Sequence, residues 1–358
     1  MTRPIYSEAH EVQLGNHGNR GLWYTRFFDR YAADWTLDDD AKRTWISNNA
    51  KLVGQRQQLE SHTLRHFAVI KAAGGEARVF TTDWHFATGL GLPHPVENGL
   101  AWHPTLGVPY LAGSGVKGLL RAWIDSWDES PDAVSQQRLE TWFGTGGDEG
   151  SAGRFVFFDA LPIEPVQLAA DVMTPHMGKW YEQGDAISEK LEPELVPADW
   201  HDPVPVPFLV VKQAKFLFGI APRRPEFAAD LPLVHEALES ALSWLGAGAK
   251  TAAGYGRMLP DTSAQAALQE LLNKQLVSTL PIERQRIEQL RAEFSQAQQR
   301  NDKTPGGMLG TLFREIATEA TDWGTAERAE LVELLTQINK FMEGNQKKRR
   351  VLIDALRN

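Results

Sequence analysis

Residues 107–123 read G-V-P-Y-L-A-G-S-G-V-K-G-L-L-R-A-W, and the reading of the whole chain turns on them. Pro109 and three glycines, Gly113, Gly115 and Gly118, surround a short apolar run, and Leu119, Leu120 and Trp123 follow at helical spacing. The pattern predicts a strand, a glycine-rich turn and a helix start. Glycine lets backbone approach a ligand closely, and free N–H groups at a helix start attract anions. Lys117 and Arg121 are spaced so that a helix sets both on one face. A backbone cradle with two cations suits a phosphate.

Residues 245–257, L-G-A-G-A-K-T-A-A-G-Y-G-R, form a second glycine cluster after an amphipathic run through Val234, Leu238 and Leu242. Gly246, Gly248, Gly254 and Gly256 surround Lys250 and Thr251, and Tyr255 and Arg257 close the segment. A helix C-cap needs one glycine, so this density argues for more than a stop signal. Neither cluster has the order of a Walker A loop or of the dinucleotide fingerprint, which disfavours nucleotide hydrolysis.

The chain has 358 residues, a formal net charge of −9, twelve Trp and no Cys. Its length allows two domains. Zero Cys excludes disulfides, zinc–thiolate sites and cysteine nucleophiles. No signal-peptide pattern and no membrane-length apolar run is read, which fits a cytoplasmic protein with no membrane partner. An acidic body binds nucleic acid only through local basic patches.

Along the chain, Ala41 to Ala72 reads as helical, Arg78 to Phe86 alternates like a strand, and 89–110 is a long Gly/Pro-rich loop. Phe155 to Phe158 is a buried-strand candidate stopped at Asp159. Residues 171–207 read as a second irregular stretch, and Phe208 to Ile220 as a strand or hairpin. Beyond about 260, Gln, Glu, Leu and Ala dominate. Residues 264–300 and 326–358 read as long helices broken at Pro305-Gly-Gly, with apolar stripes at Leu268, Leu271 and Leu272 and at Leu331, Leu334 and Leu335. Such helices need a face to pack on, either this chain's core or a neighbouring subunit.

Several segments together resemble one family. Y-L-A-G-S-G-V-K-G-L-L-R resembles the G-S-S-x-K-G-x-x-R motif of the RAMP proteins of CRISPR systems, with Gly115 where that family more often has a second Ser. G-A-G-A-K-T-A-A-G-Y-G-R resembles their C-terminal glycine-rich loop. F-A-T-G-L-G-L-P-H-P-V-E-N-G, F-V-F-F-D-A-L-P, D-V-M-T-P-H and D-W-H-D-P-V-P-V-P-F-L resemble the branch that forms the sixth subunit of Cmr (type III-B) RNA-guided effector complexes. The resemblance runs from about Asn19 to Met258. It implies an α+β fold: a ferredoxin-like (RRM-like) core with long loop insertions over 1–260. The motifs do not explain residues 261–358, whose composition reads as an all-helical extension and whose basic run at 347–350 favours an assembly element. The resemblance also implies a non-catalytic subunit that binds the guide RNA backbone near its 3′ end and caps the filament. The partners it implies are guide (CRISPR) RNA, backbone RAMP subunits and small helical subunits, with target RNA met indirectly. Target cleavage belongs to the backbone subunits of such complexes. The RNA-binding residues carried over are Gly113, Ser114, Gly115, Lys117, Gly118, Arg121, His176, Gly248, Lys250, Thr251, Gly254, Tyr255 and Arg257. No catalytic residue, metal or cofactor is expected.

Other residues have plainer readings. His62 and His66 share a helical face without an H-E-x-x-H frame, and read as a surface pair. His85, His94 and His103 read as loop histidines. His176 reads first as structural, then as an RNA contact. Asp83, Asp159 and Asp171 have no spacing that pairs them as nuclease carboxylates and suit turns. Trp23, Phe27 and Tyr31 read as the buried face of a core helix, and Lys347 to Arg350 as a solvated helix end. The rival functions are a metal-dependent RNA endonuclease processing guide precursors, and a scaffold that leaves its basic loops unused.

Overall fold

The computed structural model describes residues 5–128, 130–148, 150–186, 195–198 and 200–357. Asp199 of the D-W-H-D segment lies outside them. The chain divides into two compact units, Met1–Gln265 and Ala266–Asn358.

In the first unit the elements run α1 (Arg20–Arg26), α2 (Asp39–Asn49), β1 (Leu52–Val53), α3 (Arg56–Ala72), β2 (Glu76–Thr82), α4 (Gly113–Ser126), α5 (Asp132–Phe143), β3 (Phe155–Phe157), β4 (Leu161–Pro162), β5 (Val166–Met173), α6 (Gly178–Gln183), β6 (Val206–Gln213), β7 (Lys215–Pro222), α7 (Leu231–Trp244) and β8 (Met258–Pro260). They build two antiparallel sheets, β1-β5-β6 and β3-β7-β2-β8, with β4 also on β7. Without β4, the strands of the larger sheet and two of the helices packed on it, α4 and α7, come in the order β2-α4-β3-β7-α7-β8, with α5, β5, α6 and β6 between them, and the strands lie side by side as β8-β2-β7-β3.

The apolar run from Phe208 to Ile220 is not a hairpin. β6 pairs with β5 and β7 pairs with β2, so the two halves lie in different sheets. The chain changes sheet at Ala214, whose carbonyl accepts the Thr82 amide at 3.0 Å while its own amide donates to Thr82 Oγ1 at 3.1 Å. Val206–Val211 and Phe216–Pro222 are buried, which is why each half reads as an apolar run without alternation, with Lys212, Gln213 and Lys215 at the crossing.

Other readings change as well. The helix expected through Tyr31 ends at Arg26, and Tyr24 and Phe28 are the buried pair, while Trp23 and Tyr31 pack at the margin of the core. The helical reading of 41–72 is broken by β1. Asp171 to Met173 belong to β5 rather than to an irregular stretch. The loop 89–110 is irregular but anchored by buried Val96, Leu100, Leu106 and Val108.

The helical unit holds α8 (Thr262–Ser278, its first turn in the first unit), α9 (Ile282–Arg300), α10 (Met308–Glu319), α11 (Thr325–Phe341) and α12 (Gln346–Ala355). Each of the two long helices expected is divided in two, α8 and α9 and then α11 and α12, and α10 lies between the expected spans. Pro281 starts α9, and Gly344, at φ 87°, turns the chain between α11 and α12. The unit has its own core, in which Ile287, Leu290 and Phe294 of α9 meet Phe313 and Ile316 of α10, Leu331 and Leu335 of α11, and Ile353 of α12. At the end of the first unit, Gln265 continues the edge ladder of β2 beyond β8. Its Oε1 accepts the Val79 amide at 2.8 Å and its Nε2 donates to the Ala77 carbonyl at 3.3 Å.

His235 of α7 is fully buried, and burial, with Arg78 nearby, pushes its imidazole down to about 4 from 6.5. The folded state therefore resists a proton that the unfolded chain accepts. This contribution to stability is complete above pH 6.5 and is lost as pH falls from there toward 4, by about 3 kcal/mol for a shift of this size. In urea titrations at pH 7 and pH 4.5, His235→Leu is expected to lose less stability on acidification than wild type. Equal losses would assign the acid sensitivity to other groups.

Candidate nucleic-acid interface

The chain reaches α4 through two bridges, Trp102 to Pro109 and Leu111 to Ala160. The helix starts at Gly113, so G-S-G-V-K-G is its first two turns rather than a turn before it. The helix start is also partly occupied. Asp159 Oδ1 accepts the Gly113 amide at 2.6 Å, and the Ala112 carbonyl takes the amides of Gly115 and Val116. Anion attraction at this end is therefore supplied in part by the protein's own carboxylate.

Gly113, Val116, Leu120 and Ile124 are the buried stripe of α4. Ser114, Lys117, Gly118 and Arg121 recur on the outward side at the same helical spacing, with Lys117 half-buried and the other three exposed. Lys117 and Arg121 form no ion pair among the described residues. The glycines serve different ends. A Cβ on Gly113 would collide with the Phe157 carbonyl, and one on Gly115 would sit 2.9 Å from Leu111 Cδ1, whereas one on Gly118 meets open space. Inside a helix, glycine destabilises by roughly 0.5–1 kcal/mol relative to alanine, and no packing within the fold explains that cost at Gly118.

The second glycine loop is held by the segment after β2. The Gly256 amide donates to the His85 carbonyl at 2.7 Å and the Ala249 amide to the Ala87 carbonyl at 2.8 Å, while Ala247 N–H donates to the Gly256 carbonyl at 2.9 Å. Gly246, Gly248, Lys250, Gly254 and Gly256 all have positive φ. At Gly248 and Gly256 a Cβ would strike the carbonyls of Ala87 and Ala247, while Gly254 faces open space. Thr251 opens a single helical turn after Lys250, whose Nζ lies 5.7 Å from the centre of the Phe208 ring. Arg257 donates through Nε to the Ser243 carbonyl at 2.9 Å and lies 3.6 Å from Asp83.

A polar cluster adjoins this loop. Tyr255 donates its hydroxyl to Asp171 Oδ2 at 2.6 Å, and His85 Nδ1 lies 3.1 Å from the same oxygen. Burial acts to raise the Asp171 carboxyl, but the hydrogen bonds from Tyr255, the Val172 amide and His85 outweigh it and hold the group below its ordinary value. Burial, then the hydrogen bond to that carboxylate, raises the Tyr255 phenol to about 12. Trp84, more than half exposed, stacks on His85 at 4.7 Å. The antiparallel bridge between Phe86 and Val211 puts exposed Lys212 opposite His85. Trp84, Phe208 and Lys212 were not singled out in the sequence, because their neighbours here come from distant segments.

The remaining candidates disperse. His176 Nδ1 lies 3.3 Å from the His201 carbonyl, within its own segment. His94 stacks on Tyr24 at 4.3 Å and contacts its carbonyl. His62 and His66 are half-buried rather than a surface pair, and His103 joins them, its ring 5.5 Å from that of His62. Burial is the first cause that lowers all three imidazoles. Asp83, Asp159 and Asp171 engage Arg257, Gly113 and the His85–Tyr255 pair respectively. Among the described residues, no group of three or more His, Cys, Asp or Glu is placed to hold a metal ion, and no helix is long and apolar enough to cross a membrane.

The class defined by these two glycine loops on an antiparallel α+β unit is that of the RAMP proteins. Residues 79–258 match the family model of the RAMP superfamily, and the chain belongs to that family. CRISPR system Cmr subunit Cmr6 of Pyrococcus furiosus is 40% identical over 124 residues, which is 33% of each chain. CRISPR system CMR subunit Cmr6 of Saccharolobus solfataricus is 32% identical over 92 residues, 25% of this chain and 29% of that one. The chain thus spans about a third of the length of the curated relatives it matches. Among solved structures, a chain of the type III-B Cmr-beta complex bound to cognate target RNA aligns with TM-score 0.45 and 20% identity over 71% of this chain and 79% of that chain. The crystal structure of Cmr6 from Pyrococcus furiosus aligns with TM-score 0.32 and 25% identity over 52% of this chain and 98% of that chain.

The two kinds of glycine separate experimentally. Gly256→Ala forces a side chain against the Ala247 carbonyl at a positive φ and should destabilise by more than about 2 kcal/mol. Gly118→Ala should raise stability by roughly 0.5–1 kcal/mol. Thermal melts check both, and a destabilised Gly118→Ala would place an unseen packing demand at that helix position.

Proposed function

We propose that this chain is a non-catalytic subunit of a type III-B CRISPR effector ribonucleoprotein that grips the backbone of guide RNA near its 3′ end and caps the subunit filament. The observation that carries the reading is the outward stripe of α4, where Ser114, Lys117, Gly118 and Arg121 offer a hydroxyl, two cations without ion pairs and a glycine open to close approach. Phosphate contacts carry no sequence information, which suits an assembly that must accept any guide. Lys250, Thr251, Gly254, Tyr255 and Arg257 supply the second contact, beside Lys212 and the exposed Trp84, on which an unpaired base can stack.

The order β2-α4-β3-β7-α7-β8, with strands arranged β8-β2-β7-β3, supports a ferredoxin-like core. The partners are guide RNA and the other effector subunits, with the helical unit as an assembly element and the whole acting in the cytoplasm. The rival metal-dependent endonuclease is disfavoured because Asp83, Asp159 and Asp171 are each engaged by different groups rather than converging.

Changing Lys117 and Arg121 together to Ala should weaken RNA binding alike for all sequences. It should also lower the salt slope by about 0.7 per lost phosphate contact. Filter binding against RNAs of different sequence at several salt concentrations measures this, and a loss confined to particular sequences would mean base readout. The wild-type chain should leave RNA intact with Mg²⁺ or Mn²⁺, and cleavage abolished by replacing Asp83, Asp159 or Asp171 would establish the endonuclease instead.

A further inference from the structure

The basic run at 347–350 has a setting that its sequence does not reveal. In the helical unit, α11 and α12 border a cleft whose lining includes Thr336, Asn339, Lys340, Lys347, Arg350 and Arg357. Asp354, the one carboxylate of the lining, lies 3.9 Å from Arg350 and 3.4 Å from Arg357. Lys340 and Lys347 form no ion pair among the described residues. Four cations thus meet one anion, in a chain whose net charge is −9. Such a local excess creates a positive field on an acidic body.

The cleft has fixed walls. Arg349 turns away from it and acts as a clamp, donating to the Met342 and Glu343 carbonyls at 3.0 Å each and to Asn339 Oδ1 at 2.7 Å. Ile353 is buried in the core of the unit, and Asn345 caps α12 by accepting the Lys348 amide at 3.1 Å. The positive end of the α12 dipole lies beside Lys347 and adds to the field. From Lys347 to Ala355 the helix rises about 12 Å, and Arg357 lies just past its end.

We propose that the α11–α12 cleft is a second binding site for the phosphodiester backbone of single-stranded nucleic acid, carried by the helical unit and independent of the α4 stripe. Its chemistry favours this occupant over a protein. The lining is cationic and amide-rich, and it lacks the exposed aromatic or aliphatic anchors on which protein docking depends. The site recognises charge rather than sequence.

The test uses the full chain and oligouridylate, with binding followed by fluorescence anisotropy across a salt series. The variant K340A/K347A/R350A/R357A should keep the wild-type melting temperature and lower the salt slope by up to about 3, at roughly 0.7 per lost contact on a single strand. The reversal K347E/R350E should weaken binding further than the corresponding Ala pair. Oligouridylate should also protect Lys340 and Lys347 from acetylation, read by mass spectrometry. An unchanged salt slope in the fourfold variant would overturn the proposal, as would unprotected lysines. Protection by polyglutamate but not by oligouridylate would make the cleft an acidic-peptide site and equally defeat it. The Lys117/Arg121 variant, measured in parallel, separates the two sites. A loss seen only there defeats this proposal and leaves the α4 reading standing, and a loss seen only in the fourfold variant does the reverse.

Discussion

From Phe216 to Pro222 strand β7 is buried at every residue, so each of its backbone amides and carbonyls must find a partner inside the protein. β2 satisfies one edge, with Glu76 opposite Ile220 and Thr81 opposite Lys215. The other edge is divided between β3, which ends opposite Ile220, and β4, which begins opposite Leu217. In the gap, Phe158 still donates to the Gly219 carbonyl at 3.0 Å. The next residue, Asp159, is thereby placed to cap the first amide of α4. One buried strand thus sets the start of the helix, which face it buries and where Lys117 and Arg121 point. Gly219 belongs to the same constraint, because a Cβ there would strike Ile70 of α3.

The glycine motifs do two physically different things. Gly113, Gly248 and Gly256 allow backbone to pass carbonyl groups at distances that no side chain tolerates. Gly118 and Gly254 face open space, so their lack of a side chain matters to something outside the chain or to nothing. The conformational freedom of glycine costs stability in either case. The first group recovers that cost as packing, and the second recovers none inside the fold. This asymmetry locates the outward face of each loop more sharply than glycine content alone.

What was legible in the sequence was what short-range pattern encodes. The apolar side expected at Leu119, Leu120 and Trp123 matches the buried face of α4 only at Leu120, since Val116 and Ile124 complete that face while Leu119 and Trp123 pack at its margin; the spacing of Lys117 and Arg121 placed both cations outside. Composition changes near 260, and the second compact unit begins at Ala266. Strand pairing was not legible, because Phe208 to Ile220 reads the same whether it forms a hairpin or crosses between sheets. The crossing is decided by Thr82 and Ala214, which are 132 positions apart. The Asp171–Tyr255–His85 cluster was hidden for the same reason, with its partners 84 and 86 positions away. Asp159 looked like a turn-former, and its role as a helix cap depends on the break between β3 and β4. The two long helices expected near the C-terminus were divided by Pro281 and Gly344, and the stripe at Leu331, Leu334 and Leu335 found its cover within the unit itself.

An acidic chain that holds a polyanion must leave cations unpaired where it binds. Some of its other cations are engaged: Arg138 meets Asp128 at 2.8 Å, and Arg284 and Arg291 meet Glu330 at 2.9 and 3.0 Å. Exposed pairs of this kind contribute only about 0–1 kcal/mol, so leaving Lys117, Arg121, Lys212, Lys340 and Lys347 without them sacrifices little stability. At physiological salt the field of a surface charge decays over about 8 Å. The net charge of −9 therefore does not oppose binding as a whole. What matters is the sign of the charge within that distance of a phosphate: the α11–α12 cleft sets four cations against Asp354, and on α4 Lys117 and Arg121 are followed at helical spacing by exposed Asp125.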